Sequence, residues 1–108
     1  MLATIDTVFT ALASPTRREL LRLLREEGQL PVQQLADHFA MRRPSISEHL
    51  KVLKDAGLVS ERKRGRQRYY YLEAAPLHEI QEWLAPYEQF WRERFVSLDK
   101  LLAEEDHD

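Results

Sequence analysis

The sequence predicts a mainly α-helical fold of about five to six helices carrying one small β-hairpin, and three observations predict it. The first is an apolar stripe: Ile46, Leu50 and Leu53 recur at helical spacing, with Ala56 one step further along. Gly57 follows, a residue suited to the left-handed position just beyond a helix end. The second is a strand pattern. Leu58-Val59 opens one strand, Tyr69-Tyr70-Tyr71-Leu72 forms another, and Arg64-Gly65-Arg66 makes the turn between them. The third is charge. Between Arg42 and Leu72 lie nine basic and three acidic side chains, a net +6, whereas the whole chain carries −2, leaving −8 for the rest.

Taken in order, residues 3–12 predict a short helix with Ile5, Val8, Phe9 and Leu12 on one face. Ser14-Pro15 opens a second helix, serine as N-cap and proline at the first helical position, where no donor is lost. Leu20, Leu21, Leu23 and Leu24 face the core, Arg17, Arg18, Arg22 and Arg25 face elsewhere, and Gly28 stops the helix. Leu30 reads as a short strand closing the base of the hairpin. A third helix starts at Pro31 or Val32 and runs through Phe39, burying Leu35, Ala36 and Phe39. Ala40-Met41-Arg42 is a tight link to the next helix, where Pro44 falls in the tolerated first turn. Two short helices so joined make a helix-turn-helix over residues 31–56, with residues 58–72 as its wing.

After the loop Glu73-Ala74-Ala75-Pro76 comes the longest helical signal: Leu77, Ile80, Trp83, Leu84, Tyr87, Phe90, Trp91, Phe95, Leu98, Leu101 and Leu102. Pro86 predicts a break near Ala85, with a second helix from Pro86 to about Ala103. So many aromatics on a terminal helix pair suit a subunit interface, the bland alternative being that they only cap their own core. The expected architecture is a dimeric winged helix-turn-helix: a single domain, 1–108, whose segments 1–13 and 76–103 are dimerisation helices.

Composition narrows the function classes. With 108 residues, 44% hydrophobic and 31% charged, the chain has the make-up of one soluble globular domain, and so modest a core makes a dimer plausible. It has no cysteine, which removes disulfides and thiolate metal sites. Its first residues lack a basic, then apolar, leader pattern, and no run is long enough to span a membrane, so a cytoplasmic location is expected. A positive window in a negative chain localises polyanion binding to residues 42–72, and the acidic remainder repels DNA elsewhere. Ser45, Ser47, Glu48 and Lys51 oppose the apolar stripe, small or polar groups suited to base edges and phosphates. Arg42, Arg43, Arg64, Arg66 and Arg68 add to the basic surface.

Four strings resemble a known family, the ArsR/SmtB-type winged helix-turn-helix repressors of bacteria. They are Leu12-Ala13-Ser14-Pro15-Thr16-Arg17-Arg18-Glu19-Leu20-Leu21, Pro44-Ser45-Ile46-Ser47-Glu48-His49-Leu50-Lys51-Val52-Leu53, Ala56-Gly57-Leu58-Val59, and Gly65-Arg66-Gln67-Arg68-Tyr69-Tyr70-Tyr71-Leu72. Glu82-Trp83-Leu84-Ala85-Pro86-Tyr87 with Phe90-Trp91 looks like one subgroup. The resemblance implies a homodimer that binds a double-stranded operator and represses transcription, its first and last helices at the dimer interface. The family's DNA-contact positions match Arg43, Ser45, Ser47 and Glu48 on the helix and Arg64, Gly65 and Arg66 on the wing. Two positions depart from the pattern. Arg42 stands where the family often has a capping serine, so that cap is lost. Glu48 stands where a basic or histidine side chain is frequent; it either accepts from a cytosine N4 donor or pairs on the helix surface with Lys51 or Arg43. His49 either touches phosphate or bonds internally.

The family's metal sites do not carry over. Where one form has cysteines this chain reads Pro31-Val32-Gln33, and where another has Asp and His ligands in the last helix only His78 is present. Zinc wants about four ligands, and His38, His49, His78 and His107 are scattered, so no metal and no cofactor is expected. An unidentified small-molecule effector stays open. An enzyme is not expected: Gly28, Gly57 and Gly65 are too far apart to cradle a phosphate, and Ser47 and His49, two apart on a helix, do not face each other. The competing reading is a module whose aromatic C-terminal helices hold a small hydrophobic molecule or a partner chain, with DNA binding secondary. For the dimer, Ile5 and Phe9 at one end and Trp83, Tyr87, Phe90, Trp91 and Leu98 at the other are the expected contacts.

Overall fold

In the computed structural model, residues 4–105 are described, and they form α1 (Ile5–Leu12), α2 (Pro15–Glu27), β1 (Gln29–Pro31), α3 (Val32–Ala36), α4 (Arg43–Asp55), β2 (Val59–Arg64), β3 (Gln67–Leu72) and α5 (Ala75–Glu105). The chain divides into two compact units, one up to His78 and one from Glu79 onward. His107, noted in the sequence, lies outside the described residues.

In the first unit the caps follow local chemistry. The Thr4 hydroxyl accepts from the Thr7 N–H at 3.3 Å, and the Ser14 hydroxyl accepts from the Arg17 N–H at 3.3 Å, each satisfying an orphan donor of a first helical turn. Arg42 provides no side-chain cap to α4, as the missing serine implies. At the other end of α4, Leu58 N–H donates to the Leu53 carbonyl and Gly57 N–H to the Lys54 carbonyl, both at 2.9 Å. With Gly57 at φ +76°, that is the Schellman pattern, and it turns the chain directly from α4 into the wing.

The sheet is three-stranded and antiparallel in the order β1-β3-β2. Leu30 pairs with Tyr70, so the brief strand does close the wing's base. The turn is tighter than the sequence suggests. Arg64 is the last residue of β2 and pairs with Gln67, leaving Gly65-Arg66 alone in the loop. Gly65 takes φ +62° while Arg66 stays at negative φ, the pattern of a II′ hairpin turn.

The core is built by the stripes. Val8 and Ala11 of α1, Leu20, Leu21, Leu23 and Leu24 of α2, Leu35 of α3, Ile46, Leu50 and Leu53 of α4, and Leu58, Val59 and Tyr70 at the wing's base are all buried. Truncating a leucine such as Leu50 to alanine costs about 2–5 kcal/mol in such packing. That burial is what holds α4 at a defined angle against α2, α3 and β2.

Two helix expectations need correction. α3 ends at Ala36, not Phe39, because the chain leaves the α pattern for tighter turns: His38 N–H bonds the Leu35 carbonyl and Phe39 N–H the Ala36 carbonyl, each three residues back. Ala36 and Phe39 are accordingly only half-buried. Pro86 does not break the last helix, so the helices among the described residues number five. A proline inside a helix lacks one N–H, here the one that would reach the Glu82 carbonyl, and costs about 3 kcal/mol; α5 keeps its hydrogen-bonding pattern on both sides and runs on for 31 residues. It also starts at Ala75, inside the expected loop.

In the second unit, Trp83, Tyr87, Phe90, Trp91, Phe95, Leu98, Leu101 and Leu102 are each roughly half exposed or more in the single chain. The Trp83 and Tyr87 rings lie 5.2 Å apart, tilted, and the Arg94 guanidinium sits 4.7 Å over Phe90.

Candidate nucleic-acid interface

α4 carries the first part of the site. Burying Ile46, Leu50 and Leu53 leaves Arg43, Ser47 and Lys51, spaced at i, i+4 and i+8, in one outward row, with Ser45 and Glu48 beside it and Arg42 at its head. All six are exposed, and among the described residues none of their side chains has a hydrogen bond or an ion pair. The pairing of Glu48 with Lys51 or Arg43 is therefore not formed. A row of open donors with one acceptor is what base edges and phosphates require.

The wing carries the second part. Five of its basic residues fall within seven positions, and the hairpin holds most of them in place. The Arg62 guanidinium lies 5.1 Å over the Tyr71 ring, and that of Arg64 lies 5.7 Å over Tyr69 while reaching Gln29 Oε1 at 3.5 Å. Stacking of this kind orders an arginine without neutralising it. Arg66, beside Gly65 at the tip, is exposed with no side-chain partner among the described residues. A Cβ at Gly65 would meet nothing within 4 Å, so the glycine serves its φ and not a close contact.

Between the two parts runs a cleft of about 290 Å³, lined by Pro31, Val32, Gln33, Arg43, Arg66, Gln67 and Arg68. The fold thus gathers onto one wall three arginines that lie up to 25 positions apart in sequence.

Arg68 and Lys54 are less free than a count of charges implies. The Glu61 carboxylate accepts from Tyr70 Oη at 2.6 Å, from Arg68 Nη1 at 3.2 Å and from Lys54 Nζ at 3.4 Å. The Tyr70 hydrogen bond, then the Lys54 and Arg68 charges, hold the Glu61 carboxyl below the ordinary carboxylate range against the opposing effect of its partial burial. Burial first, and then Glu61, push the Tyr70 phenol up to about 12. This cluster ties the last turn of α4 to the wing. Sequence reasoning missed it, although Glu61 is the sole acid on β2 and that was its signal.

His49 is placed apart from the outward row. Its Nδ1 lies 3.3 Å from Arg17 Nη1, on α2, and the residue is half-buried. Helical period predicts that Arg17 faces away from the core. Instead its Nε donates to the Ala11 carbonyl at 2.6 Å and its Nη2 to the Thr10 carbonyl at 3.0 Å, at the end of α1. On α1 itself, Ile5 is half-buried and Phe9 is 38% exposed.

Among the described residues of one chain, no three His, Asp or Glu side chains converge as a metal site. No helix among them is long and apolar enough to cross a membrane.

Comparison with known proteins agrees with this geometry. Residues 14–61 match the family described as bacterial regulatory protein, arsR family. The chain is similar to the transcriptional repressor SdpR of Bacillus subtilis, 38% identical over 80 residues that cover 74% of this chain and 88% of that protein. It is 36% identical over 103 residues to the HTH-type transcriptional regulator Rv2034 of Mycobacterium tuberculosis, covering 95% of this chain and 92% of the other. A crystal structure of an ArsR family transcriptional regulator, 35% identical, superposes with a TM-score of 0.73 over 85% of this chain and 97% of that one. These relatives are transcriptional regulators and not enzymes, and a module in which DNA binding is secondary is not favoured. The chain belongs to the arsR family of bacterial regulatory proteins and is a DNA-binding transcriptional regulator.

Proposed function

We propose that the protein is a homodimeric repressor acting in the cytoplasm, which lays two α4 helices in successive major grooves of an imperfect palindromic operator. Ser45, Ser47 and Glu48 read base edges, while Arg42, Arg43 and Lys51 hold phosphates at the groove walls. Arg64 and Arg66 reach the flanking backbone, Gly65 lets the tip approach, and Arg68 supports the wing from the cleft. The observation that carries this reading is the outward row on α4, open and unpartnered opposite a fully buried stripe.

One α4 helix spans only a few base pairs, too little for selective binding in a genome. Two-fold pairing through Ile5 and Phe9 of α1 and through Trp83, Tyr87, Phe90, Trp91 and Leu98 of α5 supplies the second helix, about 34–36 Å away along the duplex. The half-exposed aromatic row on α5 supports that pairing, since apolar surface so concentrated is typical of an interface. No metal is proposed as effector; a small-molecule effector of another kind stays compatible with this scheme. The test is selection of bound fragments from random duplex DNA by the purified protein. The expected product is an inverted repeat with half-sites about one helical turn apart. Recovery of fragments with no common sequence would overturn specific operator binding.

A further inference from the structure

His49 is the half-buried polar side chain of the recognition helix, set apart from its outward row, and it leads to a different element. Arginine has donors and no acceptor, so in the contact between Arg17 Nη1 and His49 the ring's Nδ1 accepts and its hydrogen sits on Nε2. The same guanidinium uses Nε on the Ala11 carbonyl and Nη2 on the Thr10 carbonyl, which also accepts from the Ala13 N–H, in the last turn of α1. One planar group therefore spans three helices: it stems from α2, closes the end of α1 and holds the middle of α4. Because the guanidinium fork is rigid, displacing the end of α1 by about the 0.5 Å that spoils a hydrogen bond must release either the carbonyls or His49.

We propose that Arg17 and His49 are positioning residues that couple α1 to α4, so that the packing of α1 sets the angle at which α4 meets DNA. This rests on the reading that α4 contacts DNA and α1 lies at the dimer interface. It assigns His49 a role without any contact to DNA.

His49→Phe keeps a ring of similar size and removes the acceptor, and His49→Asn returns an acceptor near the Nδ1 position. Affinity for a selected operator is measured across a salt titration by fluorescence anisotropy, with dimerisation followed by sedimentation. His49→Phe is expected to weaken binding about tenfold at every salt concentration, the scale of a typical coupling between sites, with slope and dimerisation as in wild type. His49→Asn is expected to recover most of that loss, which shows that the defect is not misfolding. In an Arg17→Lys background, His49→Phe should add little further loss, since the two act as a unit. Wild-type affinity in His49→Phe, or losses that simply add, would overturn the coupling. A salt slope reduced by about one per subunit would also overturn it, by making His49 a phosphate contact. Wild-type protein that bound no duplex at all would instead overturn the reading beneath it.

Discussion

Replacing Tyr70 with phenylalanine removes one oxygen from the joint between α4 and the wing. The ring stays in the core opposite Leu30, so no cavity opens. What disappears is the 2.6 Å bond from Tyr70 Oη to Glu61 Oε2. A hydrogen bond to a charged group contributes about 1.5–3 kcal/mol. Lys54 and Arg68 still face the carboxylate, which places the expected cost near the low end, about 1.5 kcal/mol at neutral pH. The pH dependence is more diagnostic. Tyr70 is raised to about 12 in the folded protein from an ordinary value of 10. A folded value above the unfolded one means stability that is fully present below about pH 10 and lost as pH rises toward 12. At about 1.4 kcal/mol per pH unit, wild type loses roughly 2–3 kcal/mol there through this group, and Tyr70→Phe has nothing to lose. Glu61 is lowered, so its contribution is present above the unfolded carboxylate range and lost as pH falls through the folded value. The variant loses less on that side as well. The wild-type advantage is therefore widest between about pH 5 and pH 9, narrows in acid, and vanishes or reverses by pH 12. Urea unfolding of both proteins at one concentration, from pH 3 to pH 12, measures it. Parallel stability curves across that range would refute the reasoning.

Other perturbations address DNA and assembly. Arg64→Ala with Arg66→Ala should weaken binding to every sequence and flatten the salt dependence by up to about two phosphates' worth on each subunit; an unchanged slope means the wing does not touch DNA. Glu48→Ala should alter preference at a single base-pair position by about 1–3 kcal/mol, and a uniform shift over all operator variants would rule out base reading. Trp91→Ala should weaken the dimer by about 3–5 kcal/mol if it is central, as sedimentation would show. A wild type that is monomeric at micromolar concentration yet selects one half-site would sink the dimer and the operator symmetry together. Zinc, cadmium and arsenite in modest excess should leave operator binding unchanged; stoichiometric zinc binding by calorimetry, accompanied by release from DNA, would overturn that.

What the sequence made legible was set locally. Ser14 caps its helix from three residues away, Gly57 ends α4 from its own φ, and the stripe Ile46-Leu50-Leu53 needs only helical period. Each belongs to a window of a few residues, where side-chain chemistry and backbone geometry decide together. The misreadings arose where the deciding partner is distant or the competition is between nearly equal backbone patterns. Helical period places Arg17 away from the core and says no more, because its partners are 6, 7 and 32 positions away. The end of α3 turned on whether N–H groups reach back three residues or four, a difference that apolar spacing does not encode. At Pro86 the rule against proline in a helix was right about the lost bond and wrong about its consequence, because one missing bond competes with all the others of a long helix.

The same distinction bears on how strongly the chain can grip DNA. Composition offers nine basic residues between Arg42 and Leu72, and polyelectrolyte binding strength scales with those that reach phosphates. The structure divides the nine. Lys54 and Arg68 share the carboxylate of Glu61, so part of their charge is already neutralised. Arg62 and Arg64 lie on tyrosine rings, ordered but still charged. Arg42, Arg43, Lys51, Lys63 and Arg66 have no ion pair or ring contact among the described residues. With about 0.9 counterions released per phosphate neutralised, contacts from these five on each subunit of the proposed dimer would give a slope near −9, and adding the two stacked arginines would carry it to roughly −13. Nine full contacts per subunit would give about −16. The slope of log affinity against log salt thus discriminates between a basic stretch in which every cation is spent on DNA and one in which Glu61 withholds two of them to brace the wing against α4.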